Sequence, residues 1–210
     1  MTTKIQFGNS IGYQINNYLI KNKLINYLLN NVDIFDLSNI EITEEKHLLH
    51  LKNNKFYFYP NIVGKEYIFI AKKLQDKYYA VLIDKSKLNL GGKINFNSVT
   101  IISLKIRLSS SCYKGTIFDG RLVNLGGCST FIINNCYTMN GDDISDKIIT
   151  DKTDIINEFL NDNYIIDRNM NVIEFKINQL YEITELKDVI YNKIKNSAKK
   201  FESISFILRN

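Results

Sequence analysis

The sequence predicts an α+β fold, and three observations lead there. Apolar, β-branched and aromatic runs of strand length recur through the middle of the chain. Helical periodicity appears in a few separate stretches instead of alternating with every strand. Turn signals such as Asn140-Gly141 fall directly after apolar runs.

The elements follow in order. Ile15 to Leu29 is the first helix, with Ile15, Tyr18, Leu19, Ile25, Leu28 and Leu29 near one face. Thr43 to Leu51 is a short second helix, with Thr43 as N-cap and Glu44 and Glu45 in the first turn. Phe56 to Tyr59 alternates aromatic residues and stops at Pro60, which predicts a short or edge strand. Tyr67 to Ala71 and Tyr78 to Ile83 are strands joined by a solvated turn over Lys72 to Lys77. Lys85 to Lys93, with Gly91-Gly92, is a loop or hairpin. Val99 to Leu108 alternates Ile102, Leu104, Ile106 and Leu108 with polar residues and reads as a strong strand, broken at Ser109-Ser110-Ser111. Asp142 to Asp146 is an acidic turn without the ligand pattern of a calcium loop. Asp154 to Leu160 is a helix with Thr153 as N-cap, Val172 to Ile177 a strand, and Thr184 to Ile194 a helix capped by Thr184. The last apolar run is Phe201 to Ile207.

Composition excludes several classes. The 210 residues hold 45% hydrophobic and 23% charged side chains, which argues against wholesale disorder. The net charge of +5 suits a nucleic-acid or nucleotide partner and suits Lys-rich codon usage equally. Abundant Asn, Ile, Lys and Tyr read as the mark of an AT-rich genome. Cys112, Cys128 and Cys136 lack ligand spacing, which predicts reduced, buried thiols in a cytosolic-type compartment. His47 and His50 have no carboxylate or thiol set around them, so no metal site is expected. No apolar run reaches the roughly 20 residues that span a bilayer.

Tyr113 to Val123 and Thr130 to Gly141 read as two strands around which the chain is organised. Asp119-Gly120 between apolar runs reads, on pattern alone, as a tight turn. Yet Phe118-Asp119-Gly120-Arg121-Leu122-Val123, followed by Ile132-Ile133-Asn134-Asn135-Cys136 and Asn140-Gly141, resembles two consecutive motifs of the covalent nucleotidyltransferase superfamily. That superfamily holds the mRNA capping guanylyltransferases and the polynucleotide ligases. Its third motif is apolar-Asp-Gly-Glu-apolar-Val, and the next is an apolar strand ending Phe-Asp-Cys. Arg121 stands where the family has Glu, Asn134 where it has the aromatic, and Asn135 where it has Asp. The nucleophile motif, Lys-x-Asp-Gly-x-Arg, falls on the turn between the two preceding strands. Lys73 takes the nucleophile place, with Gln75, Asp76 and Tyr78 at the other defining positions. Phe201 to Ile207 resembles the fourth motif: Glu202 keeps the acid, Phe206 the aromatic, and Ser203 replaces Gly. Ile42 to Leu51 is loosely similar to a segment that precedes the nucleotide site in capping enzymes.

The resemblance implies a nucleotidyltransferase-type fold, with antiparallel sheets around a central cleft and flanking helices. It implies one domain over 1–210, with 1–41 as a helical segment packed on it and no oligonucleotide-binding barrel. The expected function is that of a degenerate, catalytically inactive capping-guanylyltransferase-like subunit. It would act through a protein partner in viral or plasmid mRNA capping or transcription, in the cytoplasm, a viral factory or a virion. Lys73 is then a vestigial nucleophile, and Asp119, Gly120, Arg121, Asn134 and Glu202 line a vestigial nucleotide cleft, with no cofactor and no metal. Lys73 and Asp119 should face the same cleft. Arg121 should pair with an acid, Glu202 first among the candidates. Two alternatives stay open. One is an active transferase using GTP or ATP with magnesium through Lys73, completed by another chain. The other is an RNA-binding module.

Overall fold

The fold is described from a computed structural model, for residues 3–7, 10–33, 49, 51, 56–88, 94–167, 170–195, 197 and 200–208. It is α+β with mostly antiparallel sheets, as the sequence predicts. The chain divides into two compact units, 1–38 with 64–177 and 39–63 with 178–210.

In the first unit, β1 (Thr3–Phe7) and β2 (Ser10–Gln14) form a hairpin, so the N-terminal segment is not only helical. Next come α1 (Tyr18–Asn31), β4 (Lys65–Leu74), β5 (Lys77–Asp84), β6 (Ile101–Ser103), β7 (Thr116–Leu125), β8 (Cys128–Met139), β9 (Asp142–Asp143), α2 (Ile149–Glu158) and β10 (Glu174–Ile177). The strands make one sheet in the order β1-β2-β6-β5-β4-β7-β8-β10, with β9 on β8. Among the described strands of this sheet, only β10 joins in parallel, on β8.

Side chains alternate across the sheet, and each face has its own core. On one face Ile68, Ile70, Val81, Ile83 and Ile117 pack with Leu24, Ile25 and Leu28 of α1. On the other, Phe69, Leu82, Phe118, Phe131 and Phe175 pack with Ile156 of α2 and with Phe159 just beyond it. Phe175 is the hub of that second core. Its ring lies 4.9 Å from Phe69, 5.3 Å from Tyr164 and 5.8 Å from Phe159, all edge to face. Such pairs contribute about 0.5–1.5 kcal/mol each beyond burial, enough to hold so short a strand as β10 in place.

In the second unit, β3 (Phe56–Ile62) lies between β11 (Tyr181–Glu182) and β12 (Phe201–Leu208). The expected edge strand is therefore central, and it runs through Pro60. The proline is tolerated because β11 pairs only with Tyr57 and Phe58. Pro60 turns its carbonyl away from β12 to accept from Asn178 Nδ2 at 3.3 Å, so its missing N–H falls on the unpaired side.

Several boundaries differ from the sequence reading, each for a local reason. Asn17 caps α1 by accepting from the Ile20 amide at 3.1 Å, so the helix starts at Tyr18 and not at Ile15. Lys72 and Lys73 belong to β4, and the turn shrinks to Gln75-Asp76 with Gln75 at φ +56°. Val99 to Leu108 keeps only β6 as strand. Beyond it, loop groups satisfy the backbone one at a time: Lys105 O accepts from Val172 N and Arg107 O from Ile165 N. The alternation still directs Ile102, Leu104, Ile106 and Leu108 to one core. Thr153 lies inside α2, where its hydroxyl donates back to Ile149 O. The last helix opens on a capping box between Glu182 and Glu185, not on Thr184. It runs through a 3-10 turn (Ile183–Glu185), α3 (Leu186–Asp188) and a π turn (Val189–Ile194). The expected helix at Thr43 to Leu51, His47, His50 and Gly91-Gly92 lie outside the described residues, apart from Leu49 and Leu51.

Candidate functional site

Asp119-Gly120 is not a turn. Both residues sit in the middle of β7, which runs on to a Gly126-Gly127 turn at φ +60° and +86°. Asn140-Gly141 does turn the chain, at φ +56° and +99°, the pair of signs a type I′ turn needs. Two bulges lie on β8, where Asn134 and Tyr137 are the extra residues. The first bulge opens directly opposite Asp119-Gly120.

The register of β4 and β7 sets Glu66 opposite Arg121 and Ile68 opposite Asp119. On that face the charged groups pair among themselves. Lys85, the first residue after β5, is 6% exposed, and its ammonium donates to Asp119 Oδ2 at 3.0 Å. It also lies 3.9 Å from Glu66 Oε2. Arg121 donates from Nη2 to Glu66 Oε1 at 2.7 Å. Two carboxylates thus meet two cations and the set is neutral. Arg121 thus pairs with an acid, and Glu66 is one such partner. Glu202 is an exposed bulge residue of β12.

Burial pushes the Asp119 carboxyl above its ordinary 3.8, while Lys85 pulls the other way. A carboxyl whose pKa is higher in the folded chain than in the unfolded one binds more protons when folded. Its contribution to stability then falls as pH rises from the unfolded value through the raised native one, and levels off above it. Relative to Asp119→Asn, the natural chain should lose urea midpoint as pH rises above the ordinary carboxyl value of 3.8. A difference that stays constant as pH rises would contradict this sign.

Lys73 does not join this set. Tyr67, Phe69 and Ala71 of β4 lie in the Phe175 core, and Ile68 and Ile70 in the α1 core. By alternation Lys73 continues the first series, while Asp119, paired with Ile68, belongs to the second. The expectation that Lys73 and Asp119 share one face is therefore overturned, and this counts against the nucleotidyltransferase resemblance. A run of apolar residues does not reveal its facing at the sequence level, because both faces of this sheet are buried.

Lys73 lies at the end of β4 with its ammonium 5.7 Å from the Tyr78 ring. It borders a pocket of about 370 Å³ lined by Lys72, Lys73, Tyr78, Ser110, Tyr113 and Lys114. Lys72 donates to the Lys114 carbonyl and lies over the Tyr27 ring, and burial lowers its pKa. Cys112 and Cys136 are buried as expected, but Cys128 is exposed, because it opens β8 directly after the Gly126-Gly127 turn. The Cys136 thiol is pushed far up by burial, so it is inert as a nucleophile. No group of three metal-ligating side chains occurs among the described residues.

Sequence reading missed Glu66 and Lys85. Asp84-Lys85 directly after an apolar strand was the available signal, since charges at the end of a buried strand need partners.

No family model matches the chain. The chain is 24% identical over 203 residues to an uncharacterized protein of Acanthamoeba polyphaga mimivirus, a match that covers 94% of this chain. The chain spans 61% of that viral protein's length.

Proposed function

We propose that this chain is a catalytically silent, nucleotidyltransferase-like subunit that acts through a protein partner in viral mRNA capping or transcription. One observation carries the silent half of this reading. Asp119 and Arg121, at the positions the resemblance assigns to a nucleotide site, are engaged by Lys85 and Glu66 in a neutral, mostly buried set. A nucleotide triphosphate needs uncompensated cations and metal-binding groups to meet its charge. A neutral cluster supplies neither. The candidate nucleophile, Lys73, is on the opposite face of the sheet. What supports kinship with the nucleotidyltransferases is the order of the segments: the Lys73 hairpin, then neighbouring β7, then β8 ending at Asn140-Gly141. The viral setting is supported by the similarity to the mimivirus protein.

The partner half is tested by co-expression with the guanylyltransferase and cap-methyltransferase chains of the same genome. A stoichiometric complex on size exclusion that survives physiological salt is expected. Separate elution from both would remove the partner role in capping.

A further inference from the structure

We infer that the pocket at the end of the β4–β5 hairpin binds single-stranded nucleic acid, taking one unpaired nucleotide between its lysines and its tyrosines. This goes beyond the proposed function and does not depend on it.

The pocket is built from three elements. β4 contributes Lys72 and Lys73, β5 contributes Tyr78, and the 3-10 turn Ser110–Lys114 contributes Ser110, Tyr113 and Lys114. Three of these six lining residues are lysines and none is acidic. The contrast with the Asp119 cluster is direct, because here the positive charge is not balanced within the lining. The Lys73 and Lys114 side chains are exposed, while Lys72 is fixed on the Lys114 carbonyl and the Tyr27 ring. Lys72 thus adds charge at a set position, without the entropy cost of ordering it on binding.

The aromatic component points away from a bare anion. The Tyr78 and Tyr113 rings lie 4.8 Å apart at 58°, and Tyr78 is 57% exposed beside the Lys73 ammonium. Ammonium groups next to an open aromatic face match the two parts of a nucleotide, phosphate and base. About 370 Å³ accommodates one base with its sugar. A duplex hides its base faces in the stack, so only an unpaired base can use the tyrosine. RNA and DNA share this chemistry.

The test is fluorescence anisotropy of the full chain with labelled 12-nucleotide oligouridine and oligothymidine, from about 50 to 200 mM salt. With three lysines on phosphate, log K should fall against log salt with a slope of about −2. Lys73→Glu with Lys114→Glu should weaken binding at least about tenfold at the lowest salt. Tyr78→Ala should weaken it about tenfold, and Tyr78→Phe should preserve it. Lys176→Glu, an exposed lysine on β10, should change nothing. The substituted side chains are exposed, so the fold should tolerate them. A urea midpoint on each variant checks this, and the milder Lys73→Gln with Lys114→Gln pair should show the same direction. A stronger RNA arm assigns RNA, and an equal or stronger DNA arm assigns single strands in general. Three outcomes each overturn the proposal: no saturable binding at low salt, binding indifferent to these substitutions, or a duplex of equal length binding as tightly.

Discussion

Gly120→Ala should destabilise the first unit by about 3 kcal/mol or more, a large share of the roughly 5–15 kcal/mol that holds a typical domain together. A Cβ built on Gly120 would lie 2.2 Å from the Ile132 carbonyl oxygen and 2.8 Å from Cζ of Phe131. The first neighbour is backbone of the paired strand, and the second is a fully buried ring in the Phe175 core. Neither can retreat without opening the β7–β8 ladder or displacing that core. Gly126→Ala is the contrast: it has φ +60° and nothing within 4 Å of the built Cβ, so only backbone strain of about 1–2 kcal/mol is expected. Urea unfolding followed by circular dichroism measures both. A Gly120→Ala midpoint equal to that of the natural chain would refute the packing argument. The glycine of the Asp-Gly pair is thus held by the approach of β8, with no turn and no ligand required.

Lys85→Ala should cost about 3–5 kcal/mol, because it leaves the Asp119 carboxylate in a largely buried site without its close cation. Replacing both partners with apolar residues, Lys85→Met with Asp119→Leu, should recover much of that loss, since an apolar pair avoids the desolvation of two charges. A double-mutant cycle over these positions separates the pair interaction from the cost of an orphaned charge. Equal losses for the single and the double variants would show that the two groups do not act as a pair. The Glu66–Arg121 bond contributes less per group, because Glu66 is 33% exposed and part of its charge is solvated in either state.

What the sequence made legible follows from what each pattern encodes. Alternation and turn chemistry are local, so β7, β8 and the Asn140-Gly141 turn were readable. The strand through Pro60 was shortened because whether a proline is tolerated depends on which neighbour is missing, a tertiary fact. Val99 to Leu108 was read as one strand because its side chains do alternate into one core, although its backbone pairs largely with loops. The site was harder. Whether Lys73 and Asp119 share a face depends on strand register and on both faces being apolar, and neither shows in a run such as Tyr67 to Ala71. Glu66 and Lys85 were missed because ordinary charged residues become informative only once burial forces them together.

The central claim is that this chain does not transfer nucleotides, and the direct measurement is covalent labelling. The purified chain is incubated with α-labelled GTP or ATP and magnesium or manganese, then run on a denaturing gel. A lysine nucleophile must be deprotonated to attack, and a lysine in water is almost wholly protonated at neutral pH. Lys73 is exposed, Gln75 and Tyr78 replace the acid and arginine of its motif, and Asp119 and Arg121 lie across the sheet from it. Loss of one preorganised electrostatic group from an active site typically costs about 100- to 1000-fold in rate. The account predicts no labelled band. A band that disappears in Lys73→Ala or in Lys72→Ala would contradict it, and would make the chain a working transferase.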